Sequence, residues 1–366
     1  MNITEIILLI IFTVSVIINL LFYSFFVFKV LRYKKPIREI SHNHPVSVII
    51  AARNEAENLK KNLPYLLEQE YTQFEVVIAN DYSYDNTVEI VKDFQRTYNN
   101  LKLVNNENLQ GKKHALTTAI HASKYDFLLF TDADCHPSSN HWIELMSESL
   151  RKEIQIVLGL GMYGISNEFC NKFVRYDTQL IALNYTTASF TGHSYMGVGR
   201  NLAYTKETWE MNNGFASHNA IASGDDDLFV AESSTINNTA VCLEKDSITI
   251  SESPTSLTGY LKMKARHLST SPRYSIIALL FSSGEWLSRV LIYISFILLI
   301  NTDTFVYLLF ALLIRLLYIT TTIRLFSIKI NNKISIPYII IFDIFAPVFY
   351  GILVIYKLLI HNKKQW

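Results

Sequence analysis

The sequence has little charge and few cysteines, glycines or prolines for its 366 residues. Only 18% are charged, and 33 basic side chains nearly balance 32 acidic ones, so no global field favours nucleic acid. Three cysteines exclude a disulfide-stapled scaffold, and 12 glycines with 8 prolines exclude collagen-like and low-complexity chains. Apolar residues are abundant instead. Half of the residues are hydrophobic and mean hydropathy is +0.19, which excludes intrinsic disorder.

The apolar residues are concentrated in segments. Residues 6–28 contain no charge, and about 20 such residues are enough for a helix to cross a bilayer. This run follows Glu5 and lacks a small-residue cleavage site, so a retained anchor is favoured over a secretory signal peptide or a buried core helix. Residues 286–300, 305–326 and 336–359 are predicted as further membrane stretches.

Three details of the C-terminal stretches leave alternatives open. The apolar residues 275–281 form either an interfacial helix or the first turns of the following span. Arg315 lies inside the second stretch and is costly there unless it faces other helices. Pro337, Pro347 and Gly351 predict that the last stretch is kinked or re-entrant.

The distribution of basic residues predicts a multi-pass protein of the cell (inner) membrane with its middle region in the cytoplasm. The cluster after the first stretch consists of Lys29, Arg32, Lys34, Lys35 and Arg38. Positive loops stay on the cytoplasmic side. The tail with Lys357, Lys363 and Lys364 would then fall outside, which conflicts with the rule. The cysteines, Cys135, Cys170 and Cys242, have no metal-ligand spacing and are expected to be reduced cytosolic thiols.

Three regions follow from this reading: an anchor at 1–35, a soluble domain at 45–272 and a membrane region at 273–366. Within the soluble domain, strands are predicted at 46–51, 75–79, 101–104 and 126–130, alternating with helices. This alternation is typical of an α/β fold with a parallel sheet. Ligands of such sheets bind at the carboxyl ends of the strands.

Polar side chains follow three of these strands where the strands end. Arg53 and Glu55 follow the first, Asp81 follows the second, and Asp132 and Asp134 follow the fourth. Residues two apart in a strand point the same way, so the last two carboxylates are expected to converge. Converging carboxylates suit Mg²⁺ or Mn²⁺. The alternative is a pair of solvated loop acids.

Further polar segments are less specific individually. Lys112 opens a helix after Gly111, where it either favours phosphate or forms a solvated basic turn, and Asp85 is expected to cap a helix. Residues 223–228 contain three consecutive acids, one of which could accept a substrate proton. Arg266 is suited to holding a diphosphate. Its neighbours Lys262 and Lys264 are read as a basic patch on anionic lipid.

Taken together and in this order, the motifs resemble those of the family 2 glycosyltransferases of the integral-membrane type. The matching segments are VSVIIAARNE at 46–55, DYSYDNT at 81–87, GKKHAL at 111–116, TDADC at 131–135 and GDDD at 224–227. The resemblance covers about 45–271. It implies the GT-A fold, a Rossmann-like, mainly parallel sheet with helices on both faces, here flanked by transmembrane helices.

The resemblance also implies roles for individual residues. The donor nucleotide and diphosphate would be bound by Ala51, Arg53, Glu55, Asp81, Lys112, Asp132 and Arg266. Asp132 and Asp134 would bind a divalent metal, Mg²⁺ or Mn²⁺. Asp226 would be the catalytic base, with Asp225 as the second choice. Such enzymes move a sugar from a UDP- or GDP-sugar to an acceptor by one in-line displacement that inverts the anomeric carbon.

One segment departs from the family pattern. Membrane synthases of the family carry Q-x-x-R-W beside the membrane, whereas residues 263–267 read MKARH, with Met263 and His267 in place of Gln and Trp. This favours a non-processive enzyme of cell-surface glycan or glycolipid synthesis over a processive polysaccharide synthase. The predicted partners are a nucleotide-sugar, a lipid-linked or glycan acceptor and membrane lipid, with no nucleic acid. The segment at 197–201 resembles an acceptor-side motif.

Other classes fit less well. A haloacid-dehalogenase-like phosphotransferase would use Asp132 as nucleophile but usually carries its acidic pair at the first strand. A transporter would need more membrane stretches than four. An inactive partner subunit is disfavoured because both the D-x-D motif and the base motif are present.

Overall fold

The computed structural model describes residues 2–33, 44–107, 109–150, 153–221 and 223–359. Several basic residues of the orientation argument lie outside the described residues, namely Lys34, Lys35, Arg38, Lys363 and Lys364. The strands are β1 (Val46–Ala52), β2 (Phe74–Asn80), β3 (Leu101–Asn105), β4 (Phe127–Phe130), β5 (Cys135–Pro137), β6 (Ile156–Leu158), β7 (Gly161–Tyr163), β8 (Leu202–Thr205), β9 (Thr239–Val241) and β10 (Thr249–Ser251).

The α-helices surround these strands and extend into the membrane region. They are α1 (Ile3–Phe26), α2 (Ala56–Leu67), α3 (Thr87–Gln95), α4 (Lys112–Ala122), α5 (Trp142–Ser147), α6 (Phe169–Phe190), α7 (Lys206–Met211), α8 (Asp227–Ser233), α9 (Leu257–His267), α10 (Ile276–Leu298), α11 (Phe305–Lys329) and α12 (Ile336–Leu359). A short π-helix, Val27–Leu31, continues α1.

The central sheet has seven strands in the order β3-β2-β1-β4-β8-β6-β9. Neighbours among β1 to β4 are parallel, as predicted, and β8 runs antiparallel to both of its neighbours. Alternate residues of β1 enter opposite cores: Val48 and Ile50 pack with Leu59 of α2, whereas Ile49 packs with Ala119 of α4. Both faces are therefore covered, which explains why β1 is a continuous apolar run.

A second, three-stranded sheet has the order β5-β10-β7 and lies beyond the carboxyl end of β4. No pattern in the sequence predicts this sheet. Each of its strands is three residues long, too short to show an alternating pattern. This sheet supplies one wall of the polar site described below.

Among the described residues, four helices, α1, α10, α11 and α12, are long and apolar enough to cross a membrane. Residues 276–281 belong to α10, so they are the first turns of that span rather than a separate interfacial helix. The helix α12 is unbroken, so the prediction of a re-entrant stretch is wrong for the described residues. Pro337 lies in its first turn, where backbone N–H groups have no partner within the helix, so the N–H that proline lacks is not needed.

Buried polar side chains connect the membrane helices to one another. Arg315 is fully buried and pairs with Asp343 of α12, with its Nη2 donating to Oδ1 at 3.1 Å. Its Nε donates to Asn19 of α1 at 2.9 Å. Arg289 pairs with Glu285 one turn earlier in α10. The expectation that Arg315 faces other helices is confirmed, and the pairing keeps charge out of the hydrocarbon.

The long helix α6 joins the sheet region to the membrane helices. Asp177 in its middle is buried and accepts hydrogen bonds from Tyr260 of α9 and Tyr350 of α12, the latter at 2.7 Å. Lys264 of α9 completes the cluster, with Nζ 2.9 Å from the Asp177 carboxylate. Lys264 is therefore an internal ion-pair partner, and its reading as a lipid-facing basic patch is wrong.

Candidate active site

The loops after β1 and β2 are tied together at the carboxyl edge of the sheet. Asn54 donates its backbone N–H to Ser83 Oγ at 3.0 Å, and its side-chain oxygen accepts from the Tyr84 N–H at 3.0 Å. Asn54 and Tyr82 both have φ of 57°, which is uncommon for residues other than glycine and typical of constrained functional loops. The two loops therefore form one rigid rim.

The residues predicted to contact a nucleotide lie on this rim. Ala51 is within β1, and Arg53 and Glu55 follow the strand. Asp81 follows β2 and is almost fully buried, and its carboxylate accepts from Asn106 Nδ2 at 2.8 Å and from the Gly111 N–H at 3.1 Å. Asp81 thereby holds the start of α4 against the rim.

Asp85 caps a helix, as the sequence suggests, but it caps two helices rather than one. Its carboxylate accepts from the Thr87 N–H at 3.1 Å, at the start of α3, and from the Ala56 N–H at 3.2 Å, at the start of α2. These are orphan donors of helix N-termini. Asp85 is thus occupied in holding the helices and is not free for a ligand.

Asp132 and Asp134 come together by a different route from the one predicted. The strand β4 ends at Phe130, so the two residues lie in a turn and strand alternation does not align them. The turn is closed by the Cys135 N–H, which donates to the Asp132 carbonyl at 3.1 Å. Potential ligand atoms of Asp132, Asp134 and Cys135 lie within 4.8 Å of one another.

The electrostatics of this turn fit a divalent cation. Burial opposes the charge on Asp132, but Lys112, Arg200 and Arg266 outweigh it and hold its pKa below the usual range. Burial and the charge of Asp132 instead raise the pKa of Asp134. Two converging carboxylates whose negative charge is only partly neutralised by nearby cations are the ligands that hard cations prefer. The Cys135 thiol donates to Asp134, and burial together with both carboxylates raises its pKa.

Glu55 faces the same region from β1. Its carboxylate accepts from Asn58 Nδ2 at 2.6 Å. Burial raises its pKa, and the charges of Asp134 and Asp132 add to this effect. The strand ends thus bring three predicted acids near one another, as the sheet topology requires.

Lys112 links the turn that holds Asp132 and Asp134, here called the metal-type turn, to the acidic loop before α8. Its Nζ lies 2.8 Å from Asp132 Oδ1 and 3.0 Å from Asp225 Oδ2. Burial disfavours the charge of Lys112, but Asp132, Asp225 and Asp226 together raise its pKa well above the usual value. Lys112 is therefore engaged by two acids, unlike the lysine of a merely solvated basic turn.

The three consecutive acids point in three directions. Asp225 faces Lys112, and Asp227 is buried with its carboxylate accepting from Tyr274 at 2.6 Å. Asp226 lies between them and caps α8, and its Oδ2 accepts from the Gly199 N–H at 2.8 Å. Burial, reinforced by Asp225 and Asp227, raises the pKa of Asp226 to about 7. Asp226 is therefore poised to exchange a proton near neutrality.

Two cavities meet at this loop. A cavity of about 350 Å³ is lined by Asp226 and extends toward α6, α10 and α12. A smaller pocket on the other side is lined by Lys112, Asp132, Gly199 and Asp225. The Lys112 bridge and the metal-type turn thus lie on one side of Asp226, and a path toward the membrane helices lies on the other.

Arg266 lies in the last turn of α9 with its side chain exposed. Within the described ranges its guanidinium forms no hydrogen bond or ion pair, yet its charge helps to lower the pKa of Asp132. A free cation near the metal-type turn is available to a bound anion.

Arg200 is a site residue that the sequence motifs do not single out. Its guanidinium donates to Ser251 Oγ at 2.8 Å and to the Gly161 carbonyl at 2.9 Å, and its charge stabilises the Asp132 carboxylate. A Cβ at position 161 would lie 2.1 Å from Arg200 Nε, so Gly161 makes room for this side chain. The only sequence signal was its place in the segment at 197–201.

The adjacent Asn201 has a structural role that the sequence left open. It is fully buried, donates to the Leu160 and Ser247 carbonyls at 2.8 and 2.7 Å, and accepts from Trp142 Nε1 at 3.0 Å. These bonds connect the two sheets, so Asn201 fixes the position of Arg200 without entering the site.

Comparison with known proteins finds a family model that matches part of this chain. Residues 47–203 match the family model described as glycosyl transferase family 2. Glycosyltransferase AglE of Haloferax volcanii is 39% identical over 101 residues, which are 27% of this chain and 33% of AglE. The poly-beta-1,6-N-acetyl-D-glucosamine synthase of Staphylococcus epidermidis is 37% identical over 89 residues, 24% of this chain and 21% of the synthase. The matches span a third or less of these relatives.

A solved structure shares the fold over most of the chain. The mannosyltransferase PcManGT from Pyrobaculum calidifontis, solved with GDP-Man and Mn²⁺, superposes with a TM-score of 0.60. The alignment covers 89% of this chain and 98% of PcManGT at 17% sequence identity, so it speaks for the fold alone. The chain therefore has the GT-A fold, and its residues 47–203 match the glycosyl transferase family 2 model.

Proposed function

We propose that this protein is a membrane-bound, inverting glycosyltransferase that moves one sugar from a UDP- or GDP-sugar to a lipid-linked or glycan acceptor. The observation that carries the proposal is the Lys112 bridge between Asp132 of the D-x-D turn and Asp225 beside the proposed base. This bridge brings a donor side and an acceptor side into one site. The family match and the shared fold support the same conclusion.

On the donor side, the rim built by Ala51, Arg53, Glu55 and Asp81 is proposed to bind the nucleotide. Lys112 would then exchange its contact with Asp132 for the diphosphate, because a cation bound between two carboxylates is well placed to accept a third anionic group. Arg266 carries a free guanidinium near the same turn and is proposed to bind the diphosphate as well.

Asp132 and Asp134 are proposed to hold a divalent metal, Mg²⁺ or Mn²⁺. When bound, such an ion neutralises charge that develops on the leaving diphosphate. The chain's own contribution is to fix the two carboxylates in the turn closed by Cys135 and to keep Arg200 behind Asp132.

Asp226 is proposed to accept the proton of the acceptor hydroxyl. As that oxygen attacks the anomeric carbon, the bond from this carbon to the diphosphate oxygen breaks, and its electrons leave with the diphosphate. The proton passes to the Asp226 carboxylate, which the Gly199 and Asp227 N–H groups hold in place. One displacement inverts the anomeric configuration and requires only one base.

The cellular setting is also a proposal. We infer a multi-pass protein of the cell membrane with its catalytic domain in the cytoplasm, supported by Lys29 and Arg32 at the end of the first membrane helix. Met263 and His267 support single-sugar addition, since they replace the Gln and Trp of the processive pattern.

The test is purified full-length protein with radiolabelled UDP- and GDP-sugars in Mg²⁺ or Mn²⁺. We expect donor turnover with at least one sugar, lost on chelation. Loss of sugar transfer in Asp226→Asn, with transfer retained in Asp225→Asn, would support the assignment of Asp226 as the base. Absence of both hydrolysis and transfer with every donor would contradict the proposal.

A further inference from the structure

The large cavity beside Asp226 enters the membrane region instead of ending at the protein surface. Its walls include Arg200 near the site and Trp286, Ala346 and Leu353 on α10 and α12. Its volume of about 350 Å³ lies within the range of ligand pockets. The cavity is thus continuous from the proposed base to helices that are apolar enough to span a bilayer.

The buried carboxylate of Asp177 in this wall is already paired with protein. Asp177 is bound by Lys264, Tyr260 and Tyr350, as described above. Their hydrogen-bonding groups are consequently not available to a ligand. The charged side chains deeper in the cavity are paired in the same way.

At that depth, Glu285 and Arg289 neutralise each other. Glu285 also accepts from Tyr23 at 3.0 Å and from Asn19 at 3.3 Å. With these charged groups satisfied, an occupant meets mainly the aliphatic and aromatic surface of Leu180, Ile181 and Leu353 and of Trp286, whose indole N–H has no partner among the described residues. A glycan would lose hydrogen bonds to water on entering such a surface, whereas a hydrocarbon chain would gain.

The cavity also has an opening toward the surroundings of the membrane helices. Leu279 near the start of α10 and Val354 near the end of α12 both line it, and both are also exposed on the outside of the protein, by 40% and 45%. A chain dissolved in the bilayer could therefore enter sideways between these helices.

The reacting end of the occupant follows from Asp226. A phosphate acceptor is already an anion and needs no base, and a buried carboxylate would repel it. A hydroxyl needs a base and is attracted by a carboxylate acceptor of hydrogen bonds. The position of Asp226 in the cavity wall, with its pKa near 7, favours a hydroxyl.

We infer that the acceptor is a lipid whose hydrocarbon chain occupies the cavity between α6, α10 and α12 and whose sugar head group presents a hydroxyl to Asp226. This inference rests on the proposed transferase function. It selects a saccharide-bearing lipid over both a lipid phosphate and a free polysaccharide.

The test uses the purified full chain, membranes of its source organism as the acceptor pool, and radiolabelled UDP- and GDP-sugars. Products are partitioned between organic solvent and water, and the lipid fraction is then treated with mild acid. We expect label in the lipid fraction, present as an intact glycolipid or released as a disaccharide or longer saccharide. Label released as a monosaccharide indicates a lipid phosphate acceptor and overturns the inference, as does label in a water-soluble polymer.

Failure of the proposed function looks different, because then no donor would be consumed in any fraction. A pair of matched variants locates the lipid chain. Ala346→Phe fills the cavity, whereas Val348→Phe adds the same ring two residues away on the exposed face of α12. We expect lipid labelling to fall by about tenfold in the first variant, as when roughly two methylene groups lose apolar contact, and to stay unchanged in the second.

A second cavity variant protects the test against misfolding. Leu279→Trp narrows the opening at a partly exposed position, where a larger side chain is tolerated. It should also lower lipid labelling while the protein remains monodisperse by size-exclusion chromatography. Equal labelling by Leu279→Trp, Val348→Phe and the unaltered protein would overturn the location of the chain.

Discussion

The dependence of sugar transfer on pH is the sharpest test of the role given to Asp226. A general base works only when it is deprotonated, so transfer should rise with pH through the pKa of about 7 that burial and the neighbouring acids give to Asp226. An ordinary carboxylic acid would be fully ionised at that pH and would give a flat profile. The pH range over which transfer rises, here called the acid limb of the profile, therefore reports the buried, acidic surroundings of Asp226.

The magnitudes follow from that value. With a pKa of about 7, the ionised fraction is about one tenth at pH 6 and about nine tenths at pH 8, a roughly tenfold difference in rate. Asp226→Asn removes the base and should reduce kcat by about 10²–10⁴. Asp225→Asn removes a negative charge that raises the Asp226 pKa, so its limb should move to lower pH with transfer retained.

The assay is single-turnover transfer from the identified donor between pH 5 and 9, at saturating metal, for the three proteins. Donor binding, measured in parallel, controls for loss of structure. An unshifted limb in Asp225→Asn would contradict the electrostatic reasoning. A normal rate with the same limb in Asp226→Asn would remove Asp226 from the mechanism altogether.

Three further outcomes are expected. Asp134→Asn should raise the Mn²⁺ concentration for half-maximal activity at least about tenfold, measured by metal titration, because one carboxylate of the turn is lost. Lys112→Met should lower kcat/KM about a hundredfold and move the pH limb upward, since a cation beside Asp226 is removed; an unmoved limb would contradict this. Arg315→Met should cost up to about 3–5 kcal/mol of stability, because Asp343 loses its main cation partner and keeps only Arg289 at 3.4 Å and Tyr293, and the double variant Arg315→Met with Asp343→Leu should recover part of the lost thermal stability in detergent.

The strand ends could be predicted because parallel strands buried on both faces leave an unmistakable pattern. The segments at 46–52 and 74–80 are nearly continuous apolar runs, each followed directly by polar residues. Since these strands are parallel neighbours, their following loops had to meet. Asp81 and Glu55 were placed at one edge by topology alone, before any side-chain position was known.

The convergence of Asp132 and Asp134 was predicted for a wrong reason. The strand was assumed to continue through them, but it ends at Phe130 and a backbone bond from Cys135 folds the turn. Short turns leave little periodic signal, so their geometry is not readable from spacing. The residue types were informative although the assumed local structure was not.

The contacts of Arg200 and Lys264 could not be predicted from the sequence because their partners are distant along the chain. Arg200 is positioned by Gly161 and Ser251, and Lys264 by Asp177. Local charge patterns made Lys264 look like surface, whereas a buried acid in α6 takes it inside. Only the three-dimensional contacts distinguish a lysine that faces lipid from one that seals an internal cluster.

The helix α6 has a consequence for how the protein is made. Its buried polar side chains are satisfied by residues synthesised much later: Arg175 donates to Asn332 at 2.9 Å, and Gln179 donates to the Ile323 carbonyl at 2.9 Å. During translation these groups have no partners until α11 and the loop after it have been inserted. The catalytic part should therefore reach its final packing only after membrane insertion is complete, and a fragment cut before α10 should aggregate instead of folding as a soluble enzyme.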